Sequence, residues 1–395
     1  MTLRSPARTF VPPFVALLLA IEFLDELVFG AREAAWPLVR DDLGLDYARV
    51  GLLLGLPNIA SAVAEPVLGL MGDTRWRSRV IVVGGVAFAV ALAAFAVAPA
   101  FGVLLVASLL LYPASGAFVS LSQVALVASN PARGEQLMAR WTLAGSIGVV
   151  LGPLLLGGAV LAGLGWRGAF AVGAIAALVF ALLVARAGGT HVNEAQPKAS
   201  FRDSLRGVKA AVRRRSTWRW LVLLGFSDLM LDVFLGFLAL YVVDVAHGSS
   251  GVAGTAVLVW SAVGLAGDAL LLPLLERVAG VRYLRWSARL MLFVFPAFLL
   301  VPALPAKLVL LGAMGLLNAG WYAILKAQLY ASLPGQPGAA MAVYGGFTSV
   351  TGLAPALLGV VAQQWGLEAA MWLLLAGPVA LIVGLHRPPA LAPLG

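Results

Sequence analysis

Twelve apolar runs, each long enough to cross a bilayer as helix, follow one another along this chain. They lie near residues 11–37, 47–71, 79–98, 101–129, 137–163, 167–186, 218–245, 251–275, 284–304, 307–332, 339–363 and 368–385. A hydrocarbon core of about 30 Å takes about 20 residues of helix, so a chain carrying this many runs has few folds open to it. Composition agrees: 61% of the 395 residues are hydrophobic, 11% are charged, and mean hydropathy is +0.96. Soluble globular proteins carry roughly 25% charged residues. So little polar surface excludes a cytosolic enzyme, a secreted module and a disordered scaffold. Strands of alternating polarity, the mark of a membrane barrel, are absent, and the Pro and Gly inside the runs are tolerated in membrane helices. The expected fold class is an all-α membrane protein with twelve transmembrane helices.

A net charge of +9 and a pI near 10.3 would suggest nucleic acid in a soluble protein. Here the basic residues occupy the short gaps between apolar runs, which speaks for membrane orientation and against a nucleic-acid partner. With both termini placed in the cytoplasm, that side collects Arg4, Arg8, Arg75, Arg77, Arg79, Arg133, Arg140, Arg186 and the cluster from Lys198 to Arg219. Arg277, Arg282, Arg285, Arg289 and Arg387 join them, leaving Arg32, Arg40, Arg49, Arg167 and Lys307 outside. The asymmetry predicts cytoplasmic termini and a multi-pass protein of the inner (plasma) membrane. The basic start leading into an apolar run looks like a signal peptide. Glu22, Asp25 and Glu26 within that run make it a retained first helix instead. With no cysteine in the chain, disulfides, thiolate metal sites and a cysteine nucleophile are excluded.

The one long connection, residues 188–216, divides the chain into units 1–187 and 217–395, six runs in each. Phe201, Leu205, Val208 and Val212 recur there at helical spacing with basic residues between them, predicting a basic amphipathic helix on the anionic membrane face. The halves also repeat. Glu22-x3-Glu26-x3-Gly30 matches Asp228-x3-Asp232-x3-Gly236, and Gly51, Glu65 and Asp73 meet Gly254, Asp268 and Glu276 at a constant offset of 203 residues. The same offset carries Pro131 to Pro334 and Met138 to Met341. Such ordered coincidences predict two pseudo-symmetric six-helix bundles, the internal repeat of secondary transporters.

The segment Gly69-Leu-Met-Gly-Asp73-Thr-Arg75-Trp-Arg77-Ser-Arg79 resembles the loop motif between the second and third helices of the major facilitator superfamily. Gly69, Asp73 and Arg79 match that motif, while Thr74, Trp76 and Ser78 depart from it. A weaker echo, Glu276-Arg277-x-x-Gly280-x-Arg282, sits at the equivalent place in the second half. Gly148-x3-Gly152-Pro153-x3-Gly157-Gly158 in the fifth run is similar to the family's antiporter motif, with one extra residue before the paired glycines. The arginine-bearing motif usual in the fourth helix of proton-coupled exporters has no counterpart, since no Arg lies between Phe101 and Asn130. The resemblance implies two bundles rocking about a central cavity lined by helices 1, 4, 7 and 10. It implies a gate latch at Gly69, Asp73 and Arg79, and a hinge or packing role for Gly148, Gly152, Pro153 and Gly157.

The chemistry lies in the intramembrane charges. Runs 3, 6, 9 and 12 read as free of Asp, Glu, Lys and Arg in their interiors, whereas runs 1, 2, 7, 8 and 10 carry them. A charge at the bilayer centre costs at least about 2.5–3.5 kcal/mol, so these groups should face protein or water. At 100° per residue, Glu22, Asp25, Glu26 and Glu33 share one arc of the first helix, with Glu22 roughly 18 Å deep at 1.5 Å per residue. Asp228 and Asp232 share a face of the seventh. Several carboxylates around one low-dielectric space cannot all ionise cheaply, which suits proton loading and release. Lys326, on a stripe with Asn318, Tyr322 and Tyr330, is expected as counter-ion to an acid that a proton or substrate displaces. Glu65 and Asp268 occupy matching places and read equally well as cavity groups or as structural hydrogen bonds. Ser115 and Ser122 in the fourth run are expected to bond between helices, with Gln123 nearby and, like Asn318 and Tyr322, a candidate secondary cavity group; Trp321 is expected to pack.

All three histidines, His191, His247 and His386, fall in loops or at the end. No nucleophile–base pair, metal-ligand cluster or nucleotide-binding glycine loop is visible. Neither an enzyme nor a bound cofactor or metal is expected. The sequence predicts a monomeric proton-coupled transporter working by alternating access, its partners being protons, a small molecule and lipid. An acid-rich cavity favours export of small cationic or zwitterionic lipophilic compounds. Import of a polar nutrient, export of a divalent metal, and a non-transporting sensor or enzyme on the same fold are the alternatives.

Overall fold

Helix is the backbone that satisfies its own polar groups in hydrocarbon, and the described residues are helical almost throughout. The structure, a computed structural model, describes residues 13–72, 76–129, 134–187, 212–333 and 337–385. The first half runs α1 (Pro13–Leu43), α2 (Tyr47–Gly72), α3 (Arg77–Ala96), α4 (Phe101–Ser115), α5 (Leu121–Ser129), α6 (Gly134–Leu161) and α7 (Gly165–Ala187). The second runs α8 (Arg215–Asp228), α9 (Phe234–Asp244), α10 (Ser250–Leu275), α11 (Gly280–Leu300), α12 (Leu304–Asn318) and α13 (Trp321–Ala331). It ends with α14 (Pro337–Thr351), α15 (Ala354–Trp365), α16 (Leu367–Trp372) and α17 (Ala376–Gly384). Pairs α4–α5, α8–α9, α12–α13, α14–α15 and α16–α17 are each one interrupted crossing, so the expected twelve crossings are present. Ten of them are long and apolar enough to cross a membrane on length and composition alone. The other two are α1, which is too charged, and α14–α15, which breaks at Gly352.

Several boundaries depart from the expected ones, with consequences for charge. The first helix runs to Leu43, through Pro37, so Arg32 and Glu33 lie inside it and not in an outer loop. Helix α11 starts at Gly280 and so takes in Arg282, Arg285 and Arg289; the ninth crossing is not free of charge. Arg289 stacks its guanidinium 5.3 Å from the Trp286 ring, the kind of aromatic contact that shelters a cation near a membrane interface. The basic linker helix expected over 188–216 lies outside the described residues up to 211.

Among the interrupted crossings, the fourth, seventh and eleventh line the central space. Single π-turns at Gly116–Ser120 and Leu229–Val233 divide the fourth and seventh crossings. Such turns displace the backbone hydrogen-bond ladder and recur at functional sites. In the seventh, Asn318 Nδ2 donates to the Met230 carbonyl at 2.7 Å, filling an acceptor within the turn. The tenth crossing breaks just after Asn318, where Gly320 adopts φ 70°, a left-handed conformation that favours glycine. The freed Gly320 N–H donates to Asp268 Oδ1 at 2.9 Å. Asp268 thus makes the structural bond to a neighbouring helix, and Asn318 leaves the stripe expected to continue through Tyr322, Lys326 and Tyr330.

Within the first bundle α1 packs on α6 and α3 on α7; within the second, α10 and α11 pack on α12. Between bundles the main contacts are α2 with α15, α6 with α10, and α1 with α9. On the face carrying the α1–α2 loop, here termed distal, the bundles meet closely. Arg40 bonds to Asp244, the Tyr47 hydroxyl donates to Asp244 at 2.7 Å, and the Tyr47 N–H donates to Gln363 Oε1 at 3.1 Å. Away from that face they separate: α9 packs on α1, whereas the principal neighbours of α8 all belong to its own bundle.

Lys307, expected as an outer loop residue, is buried at 5% exposure. Its ammonium donates to the Tyr241 hydroxyl at 2.9 Å, the Phe298 carbonyl at 2.6 Å and the Leu299 carbonyl at 3.1 Å. It also sits over the Tyr241 and Phe298 rings. The lysine therefore completes the last turn of α11, whose final carbonyls have no partner within the helix. Lys307→Met should leave those acceptors bare at a cost of about 2–3 kcal/mol, read as a lower thermal-unfolding midpoint of the purified protein.

Candidate functional site

A cavity of about 400 Å³ lies between the bundles on the far side of the distal contacts. From α1 it is lined by Asp25, Glu26, Phe29, Arg32 and Glu33, from α2 by Asn58 and Ser61, and from the fourth crossing by Tyr112 and Ser115. The opposite wall carries Asp232, Gly345 and Thr348. One face of α1 supplies most of the charge because the i, i+3, i+4 and i+7 positions of a helix project together. The α1 carboxylate arc expected from spacing thus faces the cavity at Asp25, Glu26 and Glu33.

The carboxylates differ in what holds them. Glu33 Oε1 accepts from Arg32 Nε at 3.0 Å and Nη2 at 2.7 Å, while Oε2 accepts from the Trp36 indole at 3.2 Å. Asp25 accepts from the Ser115 hydroxyl at 3.0 Å and 3.1 Å on its two oxygens. Glu22 is buried behind the cavity wall, near Trp141 and against Gly145. Glu26 and Asp232 stand apart: among the described residues neither carboxylate receives a hydrogen bond or an ion pair. They face the same space from opposite bundles, near enough to repel one another. Asp228, one turn earlier on the seventh crossing, lies beside Asp232 and Tyr344.

The cation in this space is Arg32, which orientation by loop charge places outside. Its remaining donor Nη1 reaches the Tyr112 hydroxyl at 2.8 Å, and its guanidinium lies 5.0 Å from the Phe29 ring and 5.3 Å from the Tyr112 ring. An ion buried this deeply persists only when paired and fully hydrogen-bonded, and Glu33 with Tyr112 meets that requirement. The sequence carries a signal for it, an adjacent Arg–Glu pair within the first run, but not the face of the membrane that the pair approaches. Lys326, expected as the counter-ion, bonds to the Tyr322 hydroxyl and to no carboxylate among the described residues.

Ser115 makes the expected bond between helices. Ser122 instead donates to the Phe118 carbonyl of its own helix at 2.6 Å, and Gln123 is half-buried away from the cavity lining. Asp73 and the side chain of Glu65 lie outside the described residues. Arg79 stacks on Trp76, its guanidinium 4.5 Å from the ring. A Cβ on Gly148 would sit 2.5 Å from the Phe23 carbonyl oxygen, and one on Gly152 would sit 2.4 Å from the Ala31 nitrogen. These two glycines with Pro153 therefore seat α6 directly on the backbone of α1, whereas Gly157 and Gly158 border open space. No group of three His, Asp or Glu among the described residues converges to hold a metal ion.

Twelve crossings in two bundles around a charged central cavity are the build of a membrane transporter for small molecules. The Major Facilitator Superfamily profile matches residues 18–353, and the chain belongs to that family. A curated relative, the fosmidomycin resistance protein of Escherichia coli (strain K12), is 23% identical over 350 residues, covering 87% of this chain and 85% of its own. Among solved structures, the nucleoside transporter NupG superposes with TM-score 0.77 at 16% identity, over 95% of this chain and 98% of that one. A bacterial homologue of the human lysosomal transporter Spinster, inward-facing and unoccupied, gives 0.70 at 16% identity over 95% of each chain. These likenesses establish the fold.

Proposed function

We propose that this protein is a proton-coupled exporter of small cationic or zwitterionic lipophilic compounds, working by alternating access in the inner membrane with both termini cytoplasmic. The observation that carries the reading is the pair Glu26 and Asp232. They are carboxylates from opposite bundles, facing one cavity, with no protein donor on either among the described residues. A carboxylate already tied to Ser115 or Arg32 loses a bond whenever it changes partner. Glu26 and Asp232 lose none, so a proton and a cationic group can exchange there directly. Arg32 does not cancel them, because Glu33 already neutralises it. Export, in preference to import, draws support from the relative named for fosmidomycin resistance. With cytoplasmic termini, the distal closure described above corresponds to a cytoplasm-facing state, from which an exporter loads.

The test is proton release from the purified protein in weak buffer. Lipophilic cations, divalent metals, sugars and organic anions are added in turn to the wild type and to Glu26→Gln with Asp232→Asn. Release on adding lipophilic cations, lost in the double variant, is the expected result. Release that persists in the variant, or none with any cation, refutes exchange at these carboxylates. Arg32→Met should be inactive for a different reason, leaving Glu33 buried without its partner. Its expected signature is a loss of folded protein that Arg32→Lys restores only in part, since lysine cannot reach Glu33 and Tyr112 with one planar fork.

A further inference from the structure

We propose that Lys326, Tyr322 and Tyr344 form a subsite for an anionic group of the transported molecule. This narrows the cargo to zwitterions that carry a flat apolar part, and it rests on the reading of the cavity as a transport site. Lys326 Nζ lies 4.7 Å from the Tyr322 ring centroid and 5.3 Å from that of Tyr344. The two rings meet edge to face with centroids 6.2 Å apart. Tyr344 stands one helical turn before the cavity-lining Thr348, near Asp228 and the cavity-lining Asp232.

An ammonium within a membrane-spanning segment needs compensation. Here it comes from two ring faces and one hydroxyl, with no carboxylate paired to it among the described residues. Cation–π contact offsets part of the desolvation but leaves the charge unneutralised. An ammonium has three N–H donors, and Tyr322 accepts from one. The others, with the tyrosine hydroxyls as further donors, suit a carboxylate, phosphonate or sulfonate. The ring faces suit the flat apolar part of the same molecule. Asp25 and Glu26 stand on the opposite bundle, so a zwitterion would lie across the cavity with its cationic end at α1 and its anionic end at α13.

The chain's lack of cysteine allows a direct test. A cysteine placed as Thr348→Cys reports on the local field, because a charge acts over roughly 10 Å at 0.1 M salt. Its modification is timed with an anionic and a cationic methanethiosulfonate, with and without phenylphosphonate as the probe. With Lys326 present, the anionic-to-cationic rate ratio should exceed that of Lys326→Gln at least fivefold, and millimolar phenylphosphonate should slow labelling. Lys326→Arg should keep both properties, which separates loss of charge from loss of fold. An unchanged ratio in Lys326→Gln, protection that survives that substitution, or no protection in its absence overturns the subsite. The same measurement on Glu26→Gln with Asp232→Asn isolates the two readings. In that variant phenylphosphonate should still protect although proton release is lost, and loss of protection there overturns a subsite at Lys326.

Discussion

Replacing Glu26 by Gln together with Asp232 by Asn should lower proton-driven transport in reconstituted vesicles at least a hundredfold, with the protein still folded and monodisperse. The two side chains make no protein hydrogen bond among the described residues, so the amides break nothing. They also keep volume and polarity, and a folding defect is not expected. Each single variant should retain facilitated, uncoupled exchange, because one carboxylate still offers a cationic group a partner. Asp25→Asn is the informative contrast. The Ser115 hydroxyl can donate to an amide oxygen as it does to the carboxylate, so this variant should lose less than tenfold. Equal losses at Asp25 and Glu26 would show that the whole acidic arc acts as one unit and that freedom from donors confers no special role. Transport driven by a pH gradient, compared with counterflow in its absence, reads the distinction.

Much of this site is legible in the amino-acid sequence. Periodicity alone sets Asp25, Glu26 and Glu33 on one face of the first helix, and the cost of charge in hydrocarbon turns that face inward. Repeat matching pairs Glu26 with Asp232. What spacing cannot supply is which donor each acid meets, since Ser115 and Tyr112 approach from a helix some 80 to 90 residues away. Loop-charge counting puts Arg32 and Lys307 outside because it treats each cation near a run's end as solvated. Both are buried, one satisfied by Glu33 and Tyr112 and the other by the end of α11. The π-turns and the break at Gly320 leave no periodic trace either, because a one-residue shift in the ladder preserves hydropathy. That is why spacing sets Asn318 on the Lys326 stripe when it serves the backbone of the seventh crossing. The paired Glu22–Glu26–Gly30 and Asp228–Asp232–Gly236 spacings are true equivalents in sequence but have unequal surroundings. Gly30 abuts Val149 of its own bundle, whereas Gly236 faces Leu54 and Glu33 of the other.

A leucine at Gly359 or Gly51 should abolish transport, at least fiftyfold, by holding the distal face open. A Cβ on Gly359 would lie 2.4 Å from the Tyr47 carbonyl oxygen and 3.0 Å from the Gly51 Cα, and one on Gly51 would lie 2.6 Å from the Pro355 carbonyl oxygen. All of these neighbours are backbone, which cannot swing aside, so α2 and α15 must part. Small residues allow this close approach where lipid supplies no hydrophobic drive between helices. The Arg40–Asp244 pair spans the same face and looks like the obvious latch, but its two side chains remain 16% and 18% exposed. Asparagine at 244 still offers an amide oxygen to Arg40 and Tyr47, whereas overpacking costs about 1–3 kcal/mol even where side chains can yield. Asp244→Asn should therefore slow transport only a few-fold. The discriminating readout is a single cysteine at the cavity-lining Ala62, labelled by a membrane-impermeant reagent from each side of oriented vesicles. Gly359→Leu should raise labelling from the distal side at least tenfold, and Asp244→Asn should not. If instead Asp244→Asn opens the distal face and Gly359→Leu leaves it shut, the ion pair is the gate and the glycine seam is only packing.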